Sequence, residues 1–232
     1  RTLRDADWHI ESLYDLLLPG ATSVRAKFHR YVIDANRDPS GATLYPGQNT
    51  TGLIPLTNFD GEPIWKAGAE PDANDIAKRL SEYHKPYHDA LAGEIKRAKA
   101  RFGVAIVYDC HSIRSRIPYL FDGVLPDLNI GTNDGKSCSA AVEQIARNAA
   151  ANSPFSHVVN GRFKGGWTTR RYGEPAAGVH AIQMELAQAK YLSSEAPPFA
   201  YDDTRAEALR SVLGDILRRL EELAISMSRR TV

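Results

Sequence analysis

The spacing of apolar residues predicts helices in four segments of the chain. Apolar positions recur every three or four residues over 5–18, 75–101, 137–151 and 204–227, as expected when one face of a helix packs on a core. Pro19-Gly20 ends the first run. Pro86 lies inside the second run, and it should bend that helix or split it in two, because proline lacks an N–H and crowds the preceding turn.

Shorter apolar runs predict strands between these helices. Residues 104–108 form a continuous apolar run, typical of a strand buried on both faces, and residues 180–186 alternate like a strand. Residues 158–160 are predicted as a short strand, and residues 23–28 and 31–33 as two short strands or one bent strand. Strands that alternate with helices predict an α/β fold, with a mixed, mostly parallel sheet flanked by helices on both faces, in a single domain over residues 1–232.

Composition narrows the classes of function. The 29 lysines and arginines nearly balance the 28 aspartates and glutamates, so net charge gives no reason to expect binding to nucleic acid or to a membrane surface. No run approaches the roughly 18 consecutive apolar residues of a membrane span. Cys110 and Cys138 do not form a disulfide framework, which favours a reduced, cytoplasmic protein. We expect a monomer or small homo-oligomer that recognises a small anionic molecule.

Polar residues that follow predicted strands are the first candidates for a site, because ligands of such sheets bind beyond the carboxyl ends of the strands. Asn36 and Arg37 follow residues 31–33, and an amide beside a guanidinium can grip a carboxylate, although the same residues also fit a simple turn. His111 follows residues 104–108 and is either a zinc ligand or a structural histidine. Arg114 is near enough in sequence to meet a substrate anion.

A glycine-rich, basic segment and an isolated carboxylate are two further candidates. Residues 160–173, which include Arg162 and Arg170, are interpreted as a mobile loop that is either a solvated run of charge or, as we prefer, an anion-binding lid. The segment lacks the pattern of a nucleotide-binding loop. Glu185 stands in an otherwise apolar strand, where it either points to solvent or is a general base with a raised pKa.

Two histidines at helical spacing give a weaker signal. His84 and His88 are four residues apart, a spacing that can bind a metal ion. However, Pro86 lies between them and the glutamate of the HExxH motif is missing, so we interpret them as a surface pair.

Nine segments occur in this order along the chain: DADWHIESLYD, RYVIDANR, TTGL, DCHSIRS, IPYLFDG, LPDLNIGT, NGRFKGG, TRRYG and GVHAIQMEL. Together they resemble the N-formylglutamate amidohydrolase (N-formylglutamate deformylase) family. This family is related in fold to the zinc carboxypeptidases, so the resemblance also implies a sheet of the zinc-exopeptidase type between layers of helices.

The resemblance implies roles for several residues. His111 is similar to the later zinc-ligand histidine of the family, Asn36-Arg37 to the pair that holds the substrate carboxylate, and Glu185 to the glutamate that activates the metal-bound water. Asp7 is the expected carboxylate ligand, with Asp5 as the weaker candidate. The family's earlier Pro-His-x-Gly ligand motif has no counterpart before residue 5, so we expect two of the usual three protein ligands of a catalytic zinc ion.

The activity that the resemblance implies is zinc-dependent hydrolysis of N-formyl-L-glutamate, or a close N-formyl amino acid, in histidine degradation. Glu185 would act as base and Arg114 would help zinc to stabilise the oxyanion. Asn36 and Arg37 would bind one substrate carboxylate, and Arg162 or Arg170 the other. The alternatives are a related zinc N-acyl amino acid deacylase and a non-catalytic amino-acid binding module.

Overall fold

The computed structural model describes residues 3–228, which contain a four-stranded mixed sheet. Its strands are β1 (Ala105–Ile113), β2 (Leu128–Gly131), β3 (His157–Val159) and β4 (Val179–Ala187), in the spatial order β1-β4-β2-β3. β1 runs parallel to β4, and β2 parallel to β3, whereas β2 and β4 are antiparallel. The α/β fold class, with a mixed and mostly parallel sheet, is therefore confirmed.

Six α-helices accompany the sheet in the described part of the chain. They are α1 (Ile10–Tyr14), α2 (Ala73–Arg79), α3 (Lys85–Phe102), α4 (Ala140–Ala151), α5 (Trp167–Tyr172) and α6 (Asp203–Ser228). A π-helical turn, Leu80–His84, joins α2 to α3, and short 3-10 turns occupy Pro175–Ala177 and Gln188–Lys190. None of the helices within residues 3–228 is long and apolar enough to cross a membrane.

The two faces of β4 separate the main core from a polar cluster. Because side chains alternate along a strand, Ile182, Met184 and Leu186 share one face, where they pack with α1, α4 and α6 in the largest hydrophobic core. Gln183 and Glu185 point to the opposite face, against which α5 packs. Every residue of β4 is buried, so the polar pair lies inside the protein.

The parallel register aligns the polar positions of two neighbouring strands. His111 of β1 lies opposite Glu185 of β4, and Asp109 lies opposite Gln183. These four side chains share one face at the carboxyl ends of the paired strands. Since this is where ligands of such sheets bind, the register itself assembles the candidate site.

Several helix and strand predictions are confirmed and others are wrong. Residues 204–227 form α6, residues 137–151 contain α4, and the strands predicted at 104–108, 158–160 and 180–186 are β1, β3 and β4. Residues 23–28 and 31–33 form no strand, and the helix predicted over residues 5–18 is only the five-residue α1. β2 and α5 are not predicted, because four and six residues are too few to establish a periodicity.

The bend or split predicted at Pro86 takes the form of a π-helical turn, Leu80–His84, which joins α2 to α3 without interrupting the helix. Pro86 follows this turn in α3, and the N–H of Lys85 bonds five residues back to the carbonyl of Leu80. The interpretation of His84 and His88 as a surface pair is wrong, since His84 is only 4% exposed. His88 is half-buried and its ring lies 4.3 Å from that of His84.

Candidate active site

His111 is the centre of the polar cluster. Its Nδ1 lies 3.2 Å from Oδ1 of Asp7, and its Nε2 lies 3.0 Å from Oδ1 of Asp109. Burial alone would lower the pKa of His111, but Asp109 and Asp7 raise it well above its usual value. When Nε2 donates to Asp109, Nδ1 and the Asp7 carboxylate both present lone pairs, so a proton or another cation has to lie between them.

Asp7, and not Asp5, is the carboxylate beside His111. Oδ1 of Asp7 also accepts the backbone N–H of Ser112, which fixes it at the end of β1, while its side chain keeps 33% exposure. The Asp5 side chain is fully buried and points elsewhere, with Oδ2 accepting bonds from the Tyr31 hydroxyl and the Phe59 N–H. Asp5 therefore holds the loops together, whereas Asp7 is the acidic group available to a ligand.

Glu185 is buried beside His111 and does not point to solvent. Its exposure is 8%, and its nearest polar partner is Nε2 of Gln183, which lies 3.4 Å from its Oε2. Burial is the main cause that raises the pKa of Glu185 to about 8, and the negative charge of Asp7 acts in the same direction. A carboxyl group in this state can both accept and return a proton near neutral pH.

Asn36 connects the site to the segment that precedes α5. Its Nδ2 lies 3.0 Å from Nε2 of His111 and 3.4 Å from Oε1 of Gln183, and its Oδ1 accepts the backbone N–H of Thr168. Gly166 makes this packing possible, since a Cβ there would lie 2.2 Å from the Asn36 amide nitrogen. When Nε2 of His111 donates to Asp109, the Asn36 amide N–H donates to Gln183 and only packs against the His111 ring. Both ends of the Asn36 amide are thus engaged within the protein, so its place in the site is that of a bridge between loops.

Arg37 lines the same cavity as His111 and Glu185, but several of its N–H groups already donate to protein atoms. Its Nε and NH2 donate to the carbonyl and hydroxyl of Thr51, and NH1 donates to the carbonyl of Asn36. Its guanidinium also lies 3.6 Å from the buried carboxylate of Asp34. Because a guanidinium carries five N–H donors, Arg37 keeps donors for a ligand in the cavity.

The three remaining arginines proposed from sequence lie in different places. Arg162 lines the cavity and is held by the carbonyls of Leu120 and Asn49. Arg170 lies behind it, 5.0 Å from the Tyr45 ring. Arg114 does not line this cavity: it pairs with Asp60 at 2.8 Å and faces a separate cavity of about 140 Å³ that is also lined by Trp8 and Phe199.

The interpretation of residues 160–173 as a mobile lid does not agree with the packing of this segment. Residues 167–172 form α5, and its Thr168 and Thr169 are buried. The N–H of Gly166 donates to Oε1 of Gln183, and the Tyr45 hydroxyl donates to the carbonyl of Gly165. The segment is therefore a wall of the site that is bonded to β4.

Arg30 is a cation of the site that the sequence reasoning missed. It lines the cavity, its side chain is 17% exposed, and it forms an ion pair with Asp34 at 3.4 Å and lies over the Phe59 ring at 5.0 Å. Burial would lower the pKa of Arg30, but Asp34 and then Asp7 raise it. Asp109 and Gln183 were also missed, although each lies two positions before a candidate and so shares its face.

The family comparison matches most of the chain. A family model described as N-formylglutamate amidohydrolase matches residues 1–192. The chain belongs to this family. Its curated relatives in the N-formylglutamate amidohydrolase family include N-formylglutamate deformylases of Pseudomonas aeruginosa, 48% identical over 95% of this chain and 83% of the relative, and of Pseudomonas putida, 46% identical over 95% and 82%.

Solved structures support the fold of this amidohydrolase-family chain. An N-formylglutamate amidohydrolase from Ralstonia eutropha aligns with a TM-score of 0.73 and 24% identity, covering 97% of this chain and 84% of that one. A gene product of Agrobacterium tumefaciens aligns with a TM-score of 0.58 and 19% identity, covering 84% and 69%. At these identities the likeness concerns the arrangement of the sheet and helices.

The residues present fit part of the zinc site that the family resemblance implies. The facing pair of Asp7 Oδ1 and His111 Nδ1 suits two ligands, and Asp109 on the other ring nitrogen matches the carboxylate that commonly orients a metal-binding histidine. Among residues 3–228, however, no group of three or more His, Cys, Asp or Glu side chains is arranged to hold a metal ion. A catalytic zinc ion usually has three protein ligands, so these residues supply an incomplete set.

Proposed function

We propose that this protein hydrolyses the formamide bond of N-formyl-L-glutamate, or of a closely related N-formyl amino acid, to formate and the free amino acid. The observation that carries the proposal is the single cavity that brings a buried carboxyl group, Glu185, together with His111 and the cations Arg30, Arg37 and Arg162. Deformylase relatives at 48% and 46% identity support the choice of acyl group. The reaction would belong to histidine degradation in the cytoplasm.

Glu185 is the general base of the proposed reaction. It takes a proton from the attacking water as the C–O bond to the formyl carbon forms, and gives that proton to the nitrogen as the C–N bond breaks. The pKa of about 8 suits a group that must accept and then release a proton within one turnover. The balance is one water consumed for one formate and one protonated amine, since the second proton of the water also passes to the amine.

The cations of the cavity have separate proposed tasks. Arg30, whose charge acts on both Asp7 and Glu185, is better situated than Arg114 to stabilise the tetrahedral oxyanion. Arg37 would bind one substrate carboxylate with its remaining N–H groups, and Arg162 the other. Arg170 would support this end through Tyr45, which lies between it and Arg162.

We also propose that one divalent metal ion, zinc, would be held by Asp7 and His111. A bound zinc ion lowers the pKa of its water to about 7 and polarises a carbonyl group. The same two side chains would then be kept in place by Ser112 N–H and by Asp109.

The test is formate release from N-formyl-L-glutamate by the unmodified protein and by Glu185→Gln, each supplied with zinc and each with chelator. We expect turnover that the Gln variant reduces by about a hundredfold or more, with equal metal content in both proteins. Glu82→Gln, at an exposed site, is the matched control and should be unaffected.

Other substrates decide between the proposal and its alternatives. Faster hydrolysis of N-acetyl-L-glutamate than of the formyl compound would identify a different N-acyl amino acid deacylase. No turnover of either compound, together with calorimetric binding of L-glutamate that chelator leaves unchanged, would instead identify an amino-acid binding module.

A further inference from the structure

The buried His84 and the half-buried His88 contact the backbone on either side of Asn36. Nε2 of His88 lies 2.8 Å from the carbonyl oxygen of Ala35, and Nε2 of His84 lies 3.0 Å from that of Arg37. A carbonyl oxygen only accepts hydrogen bonds, so both Nε2 atoms carry a proton and donate it. The two imidazoles therefore hold the carbonyl groups of the residues before and after Asn36.

The same helical segment makes a third contact of this kind. Arg79, at the end of α2, donates from NH1 to the carbonyl of Val32 at 2.8 Å. The π-helical turn Leu80–His84 lies between Arg79 and His88, so side chains before and after it reach the same extended stretch. Side chains, and not a neighbouring strand, thus satisfy three carbonyls of residues 32–37.

His88 is oriented from its other side by α5. Its Nδ1 lies 3.0 Å from the Tyr172 hydroxyl, and the two rings stack with centroids 5.8 Å apart. Since Nε2 already donates to Ala35, Nδ1 of a neutral imidazole is an acceptor, and it shares the hydroxyl proton of Tyr172 with the backbone carbonyl of His88, 3.1 Å from that hydroxyl. Tyr172, His88 and the Ala35 carbonyl therefore form a chain of bonds from the wall of the site to the residue before Asn36.

We infer that His84 and His88 are positioning residues, which fix the backbone at Ala35–Arg37 so that Asn36 meets His111 and Arg37 faces the cavity. The inference rests on the proposed function, because it assigns Arg37 to the substrate carboxylate. Neither histidine lines the cavity, so both act through the residues that they hold. Loss of the two bonds should loosen substrate binding more than it changes the reacting groups.

The experiment compares substitutions that keep or remove the donor at each histidine, in the full chain. Glutamine places an amide N–H near the position of Nε2, whereas leucine keeps bulk without a donor. We expect His84→Leu and His88→Leu each to raise KM for N-formyl-L-glutamate about tenfold, with kcat changed less than threefold. The Gln variants should restore KM to within twofold. Asp89→Asn, on the exposed side of α3, is the matched control.

A more conservative substitution and a binding measurement complete the test. Tyr172→Phe removes only the hydroxyl that meets His88 and should raise KM about threefold. The calorimetric Kd for L-glutamate should rise in parallel with KM in every variant. Folded Leu variants with KM and Kd within twofold of the unmodified protein would overturn the inference. If the Leu variants do not fold, unchanged KM and Kd in Tyr172→Phe would overturn it.

The same data separate this inference from the proposed function. If the unmodified protein releases no formate, the proposed function fails, and the Kd series alone then decides whether the histidines position the ligand-binding residues. If the unmodified protein is active and the variants match it, only the positioning role fails.

Discussion

At the scale of single residues, one buried carboxylate organises the cations of the site. Asp34 is 3% exposed, its Oδ2 lies 3.4 Å from Arg30 and 3.6 Å from Arg37, and its Oδ1 accepts the N–H of Asn36. Burial would raise the pKa of Asp34, but the two arginines lower it. An ionised Asp34 therefore allows two guanidinium groups to share one small cavity. Loss of this charge would leave like charges close together.

The contrast between Arg30 and Arg114 gives a prediction at this scale. Arg30→Met should lower kcat/KM for formate release about a hundredfold, because a donor aimed at the developing oxyanion is lost. Arg114→Met removes a cation of similar size from the second cavity, where it pairs with Asp60, and should change kcat/KM less than threefold. Steady-state kinetics on both variants checks the assignment. A large loss for Arg114→Met alone would return the catalytic role to Arg114.

At the scale of helices and strands, whether the sequence predicts an element depends on which groups satisfy its backbone hydrogen bonds. β1 and β4 were predictable because each contains a run of apolar residues. The two strands pair with each other, and their register brings His111 beside Glu185. Residues 31–33 have a strand-like composition, but Arg79 donates to the carbonyl of Val32 from the helical side. His88 and His84 contact the carbonyls of the residues just beyond, at positions 35 and 37. Such contacts between distant segments leave no periodic signal, so Arg30 was missed together with the local structure.

Gly166 directly precedes α5, so a substitution at Gly166 tests how this helix packs in the site. A Cβ at Gly166 would lie 2.2–2.4 Å from the side-chain atoms of Asn36, so Gly166→Ala must displace that bridge to His111. We expect about 1–3 kcal/mol lower unfolding free energy and at least tenfold lower kcat/KM. Gly93→Ala in α3, where nothing lies within 4 Å, should instead stabilise the protein by about 0.5–1 kcal/mol. Urea denaturation and formate release measure both effects.

Equal behaviour of the two alanine variants would contradict this account of Gly166. The sequence alone could identify the glycine-rich run at 160–166 as unusual, but not its cause. The cause is a close approach between Gly166 and residue 36, which are far apart in the chain. The glycines of the run favoured a lid over a solvated run of charge, whereas in the structure Gly166 lets the wall pack tightly against Asn36.

At the scale of the whole molecule, the pH dependence of stability contains opposing histidine contributions. Burial lowers the pKa of His180 and of His88 below the usual 6.5, whereas Asp109 and Asp7 raise that of His111. A lowered pKa gives stability that is present above pH 6.5 and is lost as pH falls through the folded-state pKa. A raised pKa gives stability that is present below pH 6.5 and is lost as pH rises. The net slope therefore cannot isolate any one histidine, but a difference between two variants can.

His180 allows that difference to be measured, because it lies outside the candidate site. It is 5% exposed, and its Nδ1 accepts the N–H of Ser139 at the start of α4, a bond that is lost when Nδ1 is protonated. In His180→Asn, the amide oxygen can accept the same N–H without titrating. Urea midpoints should therefore fall less between pH 7.5 and 5.5 in the variant than in the unmodified protein. Identical slopes would mean that His180 keeps its ordinary pKa in the fold, and that its buried bond to α4 does not contribute to acid sensitivity.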